Sequence, residues 1–313
     1  MKNSINIATI GVPDDYKNSL TPLIIKSLGY TINWCNPNSA DIIIYGPFPP
    51  KNRSLRRFIP KPLRPITQHF YPESSRQYAA ISIFQTSENL RHNHITSDFS
   101  ISFDIGLDNQ KHCRMPYWME QVDWAHEGIV GNSNPRFGQL LKLERLMQPL
   151  GNSFLKRPMK AAFFSSHLRE PRGTLYQALN HVMPVTGFGP YFDTAIENHL
   201  SSSFQKYSVL QDYGYNLCPE NSMYPGYYTE KIPEAFQAGC LPISWADPNL
   251  CLDFNPDALI NLAPMTHNNF IELGNLFSSK ARLSDFSEQA LIIKKPSIEP
   301  QKYFIKNIIE LTK

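Results

Sequence analysis

Ile5–Ile10 is a β-branched run closed by Gly11, the pattern of a buried strand. A helical stretch over Ser19–Leu28 follows and stops at Gly29. Tyr30–Trp34 and Asp41–Tyr45 (DIIIY) return to strand patterning, with Asn, Pro and Ser turns between them, and Ala79–Phe84 and Phe99–Phe103 continue the series. Strand–helix–strand order of this kind predicts a parallel sheet with helices on its faces. From Asn132 to Pro158 the chain turns polar around a charged helical stretch, Phe137–Met147, and leaves through Lys156–Pro158. A second series begins at Lys160. It comprises a strand at 161–166 (AAFFSS), a helix at Thr174–His181, a strand approached through Tyr207–Leu217, a helix at Glu230–Ala238 and a buried strand at 240–245 (CLPISW). The closing YFIKNIIELTK (303–313) has helical periodicity. The pattern predicts two α/β domains, 1–155 and 156–313, with ligands bound where strand ends and helix N-termini converge.

Composition narrows the class. The 313 residues exceed one ordinary core, and 42% hydrophobic with 12% aromatic content describes a globular chain. A formal charge of +3 suits a small anionic ligand better than a nucleic-acid backbone. One basic cluster stands out among prolines: Lys51, Arg53, Arg56, Arg57, Lys61 and Arg64. It reads first as a solvated loop and second as a contact for an acceptor or a membrane surface. Five cysteines at 35, 113, 218, 240 and 251, none in CxxC spacing, argue against a disulfide framework or zinc knuckle and for a reducing compartment. The opening MKNSINIATIGVPDDY reads as a strand rather than a leader, and no run of eighteen apolar residues occurs. A cytoplasmic protein, at most peripheral at the inner face of a membrane, is the resulting expectation.

Residues 214–245 (GYNLCPENSMYPGYYTEKIPEAFQAGCLPISW) concentrate the chemistry. A strand, Tyr215–Cys218, delivers Glu220 and Asn221; a Pro/Gly/aromatic loop follows; Thr229-Glu230-Lys231 opens a helix that Gly239 ends. A helix N-terminus favours an anion, Lys231 adds a point charge, and Glu230 can accept from a ribose diol. Tyr227 or Tyr228 can offer a ring face or a hydroxyl. Residue by residue this is also an ordinary capped helix with Thr229 as N-cap. As one strand–loop–helix unit it suits a nucleoside diphosphate. Metal chemistry has no visible support: there is no Asp-x-Asp, and His92, His94 and His112 lack HxxxH or HExxH spacing.

The run resembles the donor-binding signature of the bacterial-type family 10 α1,3/4-fucosyltransferases: F-E-N-S, a spacer, D/G-Y-V-T-E-K, and a helix ending before a buried P-[IV] strand. Glu220, Asn221, Ser222, Gly226, Tyr227, Thr229, Glu230, Lys231, Gly239 and Pro242 match; Pro219 replaces Phe and Tyr228 replaces Val. RGTLYQALNHVMPVTGFG (172–189) resembles the family segment in which an Arg opens a helix, and implies that Arg172 contacts the donor diphosphate. FQTSEN (84–89), DFSISFD (98–104) and CRMPYW (113–118) resemble the acceptor-domain pattern, which implies Glu88 as general base; DFNP (253–256) and the last helix also match. The heptads and basic tail of some bacterial members do not appear.

The resemblance implies a GT-B fold of two Rossmann-like domains facing a cleft, the first for the acceptor and the second for GDP-fucose, the last helix packing back on the first. It implies inverting transfer of L-fucose from GDP-β-L-fucose to a glycan hydroxyl, O3 of GlcNAc foremost. The acceptor would be N-acetyllactosamine-like or lipopolysaccharide-type. Arg172, Asn221, Tyr227, Glu230 and Lys231 would bind the donor, with no metal and no cofactor. Another nucleotide-sugar transferase of the same architecture, or a non-catalytic GDP-sugar or glycan-binding module, is the alternative; Glu88 separates them, because a binding module needs no base.

Overall fold

The computed structural model describes residues 4–48, 78–189, 191–192, 205–263 and 270–313. The basic cluster at 51–64 lies outside them. The strands are β1 (Ser4–Ile10), β2 (Thr31–Trp34), β3 (Ile42–Tyr45), β4 (Ile81–Gln85), β5 (Phe99–Ser102), β6 (His112–Arg114), β7 (Ala161–Phe164), β8 (Val185–Phe188), β9 (Tyr215–Leu217), β10 (Leu241–Ser244) and β11 (Ile260–Asn261). The α-helices are α1 (Leu20–Ser27), α2 (Leu143–Leu146), α3 (Ser153–Lys156), α4 (Arg172–Val182), α5 (Lys206–Leu210), α6 (Lys231–Gln237), α7 (Phe270–Ser278), α8 (Lys280–Ser287) and α9 (Glu299–Glu310).

Two wholly parallel sheets form two compact units. The first has the order β2-β1-β3-β4-β5-β6, the second β11-β10-β9-β7-β8. Both follow one doubly wound scheme: the second strand pairs on one side of the first and the third on the other. Connections then leave on opposite faces and open a crevice at the strand carboxyl ends. That crevice falls between β1 and β3 in the first unit and between β7 and β9 in the second.

In the first unit all four residues of β3 are buried, as a central parallel strand requires. Ala8, Ile43, Tyr45, Phe84 and Ile95 form one apolar cluster there. In the second, β9 and β10 are buried along their whole length. Pro219 is tolerated beside β9 for a register reason. Cys218 and Glu220 donate their N–H groups to Ile243 and Trp245 (2.8 and 3.1 Å), so Pro219 occupies the alternate position that owes β10 no hydrogen bond.

The first unit is 1–116, 124–132 and 297–313; the second is 117–123 and 133–296. The division falls earlier than the break expected at 155. Asn134 donates to Glu234 (2.7 Å), and Gln237 accepts from the Lys142 amide while donating to the Leu140 carbonyl (2.6 and 2.8 Å). These bonds attach 133–155 to α6. They also divert backbone groups that the expected Phe137–Met147 helix would need, and Gly138 at φ +99° breaks it further, leaving only α2. The segment CRMPYW is split as well, since Tyr117 and Trp118 belong to the second unit. The last helix, α9, belongs to the first unit, where it packs on α1 and sets Phe304 edge-on to Phe99.

Candidate functional site

At the crevice of the second sheet, the loop after β7 meets the loop after β9. Arg172, the first residue of α4, is buried there. Its Nη1 donates to Ser165 Oγ (3.1 Å) and its Nη2 to Asn221 Oδ1. The guanidinium thus ties both loops together. Burial works against its charge, and the Glu220 carboxylate works for it. Its Nε–H and one Nη2–H donate to no partner among the described residues. Those are the donors a bidentate anion contact uses. His167 completes the β7 loop, with Nε2 at 3.2 Å from Arg172 Nη1 and Nδ1 accepting from the Arg169 amide (3.3 Å).

Glu220 has a different task from the one its place beside Asn221 suggests. It is fully buried and accepts from the Thr229 amide and hydroxyl (2.8 and 2.7 Å) and from Lys231 Nζ (3.3 Å). Lys231 also donates to Thr229 Oγ1 (2.7 Å) and lies 3.8 Å from Glu230. Burial opposes the Lys231 cation, but Glu220 and Glu230 outweigh it and raise its pKa. The ammonium is therefore charged at any working pH, and among the described residues its hydrogen bonds go only to Glu220 and Thr229, which leaves a third N–H.

The helix start differs from the expectation. The seven-residue α6 begins at Lys231 with Glu230 in the N-cap position. Thr229 does not cap it; its amide and hydroxyl are both taken by Glu220, so this amide is not an open anion donor. Glu230 is held below the usual carboxylate range: burial opposes ionisation, and Lys231 and Lys206 overcome it. Lys206 is ion-paired with Glu234 at 2.9 Å. Tyr227 is buried and lies within electrostatic reach of Arg172 and Lys231. Tyr228 is a core residue, packing edge-on to Phe254 with its hydroxyl facing the Gly226 amide. The five donor residues expected from sequence, Arg172, Asn221, Tyr227, Glu230 and Lys231, are gathered in this one unit. His167 and Ser165 were not foreseen. A single histidine between Ser and Leu has no spacing signal, and only the fold brings it to Arg172.

Glu88 lies in the first unit, beyond the carboxyl end of β4. Its backbone is held in a turn by Thr86, whose Oγ1 accepts from the Glu88 amide (3.0 Å) and donates to its carbonyl (3.1 Å). Its side chain is exposed, and the carboxylate meets no hydrogen-bond or ion-pair partner among the described residues. Neighbouring carboxylates are occupied. Asp98 accepts from the Ser82 amide and hydroxyl (2.8 and 2.7 Å). Asp104 accepts from the His92 amide and Ser102 hydroxyl, both at 2.7 Å, and from Arg91 (3.3 Å). His92 leans on Asp104 and stands edge-on to buried His112. His94 is exposed beside Phe84. Among the described residues no group of three or more His, Cys, Asp or Glu is arranged to hold a metal ion. No helix there is long and apolar enough to cross a membrane.

Comparison with known proteins places these features in a family context. Residues 67–120 match the Alpha-(1,3)-fucosyltransferase FucT N-terminal domain, and 155–275 match Glycosyltransferase family 10 (fucosyltransferase) C-term. The chain is 28% identical over 267 residues, 79% of its length, to "Alpha-(1,3)-fucosyltransferase FucT" of Helicobacter pylori. It spans 50% of that protein. A crystal structure of an α1,3-fucosyltransferase with GDP-fucose superposes with a TM-score of 0.66 at 25% identity, covering 99% of this chain and 92% of that one. A GDP complex gives the same TM-score and identity, with 98% and 91% covered.

Proposed function

The chain belongs to glycosyltransferase family 10, and on that premise we propose that it transfers L-fucose from GDP-β-L-fucose to a glycan hydroxyl with inversion at the anomeric carbon. One observation carries the reading. Arg172, Asn221 and Lys231 converge at the crevice of a doubly wound parallel sheet, where two loops and a buried guanidinium leave N–H donors for a diphosphate. The donor's phosphates are assigned to Arg172 and Lys231, its ribose diol to Glu230, and Tyr227 and Asn221 line the same site.

In the reaction the acceptor oxygen attacks the anomeric carbon opposite the departing GDP. The bond to the β-phosphate oxygen breaks with oxocarbenium character, and the acceptor proton passes to a carboxylate. Glu88 is that carboxylate in this reading: exposed at a strand end, while Glu220, Asp98 and Asp104 are committed to structural hydrogen bonds. Negative charge grows on the GDP oxygens and is met by two fixed cations, which need no reorganisation during the step. This arrangement needs no metal and no cofactor. The preferred acceptor position is O3 of GlcNAc in an N-acetyllactosamine-like or lipopolysaccharide-type glycan.

Incubation with GDP-fucose and a panel of such glycans, with and without EDTA, tests this. Product should form equally in both, carrying an α-fucosyl linkage by NMR. Transfer from UDP-sugars instead, or GDP-fucose binding with no transfer to any glycan, would replace the proposal with another transferase or with a binding module. Activity lost in EDTA and restored by manganese would overturn the metal-free mechanism.

A further inference from the structure

We propose that His167 is a proton-coupled donor residue, taking up a proton when the diphosphate of a nucleotide sugar binds and adding a third cation beside Arg172 and Lys231. This rests on the donor reading above and adds a residue and a pH dependence to it.

Hydrogen bonding around the His167 ring does not balance. The imidazole has two nitrogens, and each faces a donor: the Arg169 amide at Nδ1 (3.3 Å) and Arg172 Nη1 at Nε2 (3.2 Å). A neutral ring can accept at one nitrogen only, and an imidazolium at neither. These two contacts therefore disfavour the protonated form and leave even the neutral ring one contact short. Donors outnumber acceptors throughout this corner. Ser165 Oγ takes one Arg172 proton and gives its own to the His167 carbonyl (2.7 Å), and Asn221 Oδ1 takes another. An arrangement with more N–H groups than acceptors among the described residues is completed by an anion.

Among the described residues the charged groups facing the ring are both cations: Arg172 from α4 and Arg169 from the loop. Burial, then Arg172, then Arg169, lower the His167 pKa from 6.5 in the unliganded protein. A diphosphate reverses the field. It draws the Arg172 donors to itself and supplies acceptors for an Nε2–H, so the ring binds a proton from solvent. The complex then holds more protons than the free protein, and affinity must rise as pH falls between the two pKa values. By reciprocity, the ligand raises proton affinity by the factor that protonation raises ligand affinity.

The test uses GDP-fucose, whose esterified diphosphate does not itself titrate in this range. Calorimetric titrations at pH 6.0, 7.0 and 8.5, in buffers of different ionisation enthalpy, read proton uptake directly. The wild type should take up a fraction of a proton near neutrality, and its affinity should fall by up to about tenfold per pH unit within the titration window. His167→Gln should abolish uptake and flatten the profile. It should bind several-fold more weakly than the wild type at pH 6.0 and equally at pH 8.5. A merely structural histidine would instead give one penalty at every pH. Wild-type binding without proton uptake, or equal uptake in His167→Gln, would overturn this inference and leave the donor assignment intact. No binding of GDP-fucose at any pH would overturn the donor assignment and this inference with it.

Discussion

At the residue scale, two side chains with opposite surroundings carry the proposed chemistry. Arg172 is buried and holds Ser165 and Asn221, whereas Glu88 is exposed and holds nothing among the described residues. Their substitutions should separate cleanly. Arg172→Ala should weaken GDP binding by about 2–4 kcal/mol, the scale of a charge-assisted contact to a sheltered phosphate. Arg172→Lys should recover little, because an ammonium cannot bridge two loops with a planar fork. Glu88→Gln should leave GDP binding unchanged and lower kcat by roughly two to four orders of magnitude, the range of general base catalysis. Calorimetry and initial rates on folded variants decide both; near wild-type turnover in Glu88→Gln would end its assignment as base. The charged and amide residues of this site were legible because their types and order are unusual. Their roles were less so: Glu220 stands in the signature beside Asn221, and nothing in the sequence says that its carboxylate is consumed by Thr229 and Lys231. Partners nine and eleven residues away across a loop have no periodic signature.

At the element scale, strands and helices that bury one regular face were readable, and irregular segments were not. β3 and β10 lie within the expected spans, and β1 and α4 overrun theirs by only one or two residues at an end, because β-branched runs and helical spacing are set locally. The segment 137–147 is not a continuous helix because Gln237, 95 and 97 positions from the groups it bonds, competes for its backbone. Tyr207–Leu217 likewise hides the one-turn helix α5 before β9. The loop that carries Ser165 and His167 depends on a residue beyond the next helix and strand. Gly189, just after β8, has φ +112°, and a Cβ there would come within 2.5 Å of the Ser165 carbonyl oxygen. Alanine is disfavoured twice, by backbone conformation and by a clash with main chain that cannot swing aside. Gly189→Ala should displace the β7–α4 loop and with it the Ser165 partner of Arg172. A protein that remains folded by circular dichroism but binds GDP at least tenfold more weakly is the expected result. Unchanged GDP affinity would show that the loop does not set the position of Arg172.

At the scale of the whole molecule, the chain begins and ends in the same unit. β1 opens the first sheet, and α9 returns to it after the entire second unit has been threaded. Helical periodicity announces α9, but it is the family resemblance, not the periodicity, that implies packing on the first domain. Phe304, Ile305, Ile308 and Ile309 are buried, Phe304 meets Phe99, Gln301 donates to the Arg114 carbonyl (2.8 Å) and Lys302 to that of Glu127 (2.7 Å). Each fully buried side chain of this kind is worth about 1.5–3 kcal/mol. Four together approach the whole stability of a typical domain, about 5–15 kcal/mol. Removing residues 297–313 should therefore unfold or loosen the first unit, exposing α1 and the β5–β6 edge, while the second unit keeps Arg172, Asn221 and Lys231 in place. The truncated protein should still show a thermal shift with GDP, yet lose fucosyl transfer, because Glu88 sits in the unit that has lost its helix. Limited proteolysis should cut first within residues 1–116. Full transfer activity in the truncated chain would mean that α9 is dispensable to the unit holding the base. Loss of the GDP-induced shift would mean that the donor site depends on the first unit, and the assignment of donor binding to the second unit alone would fall.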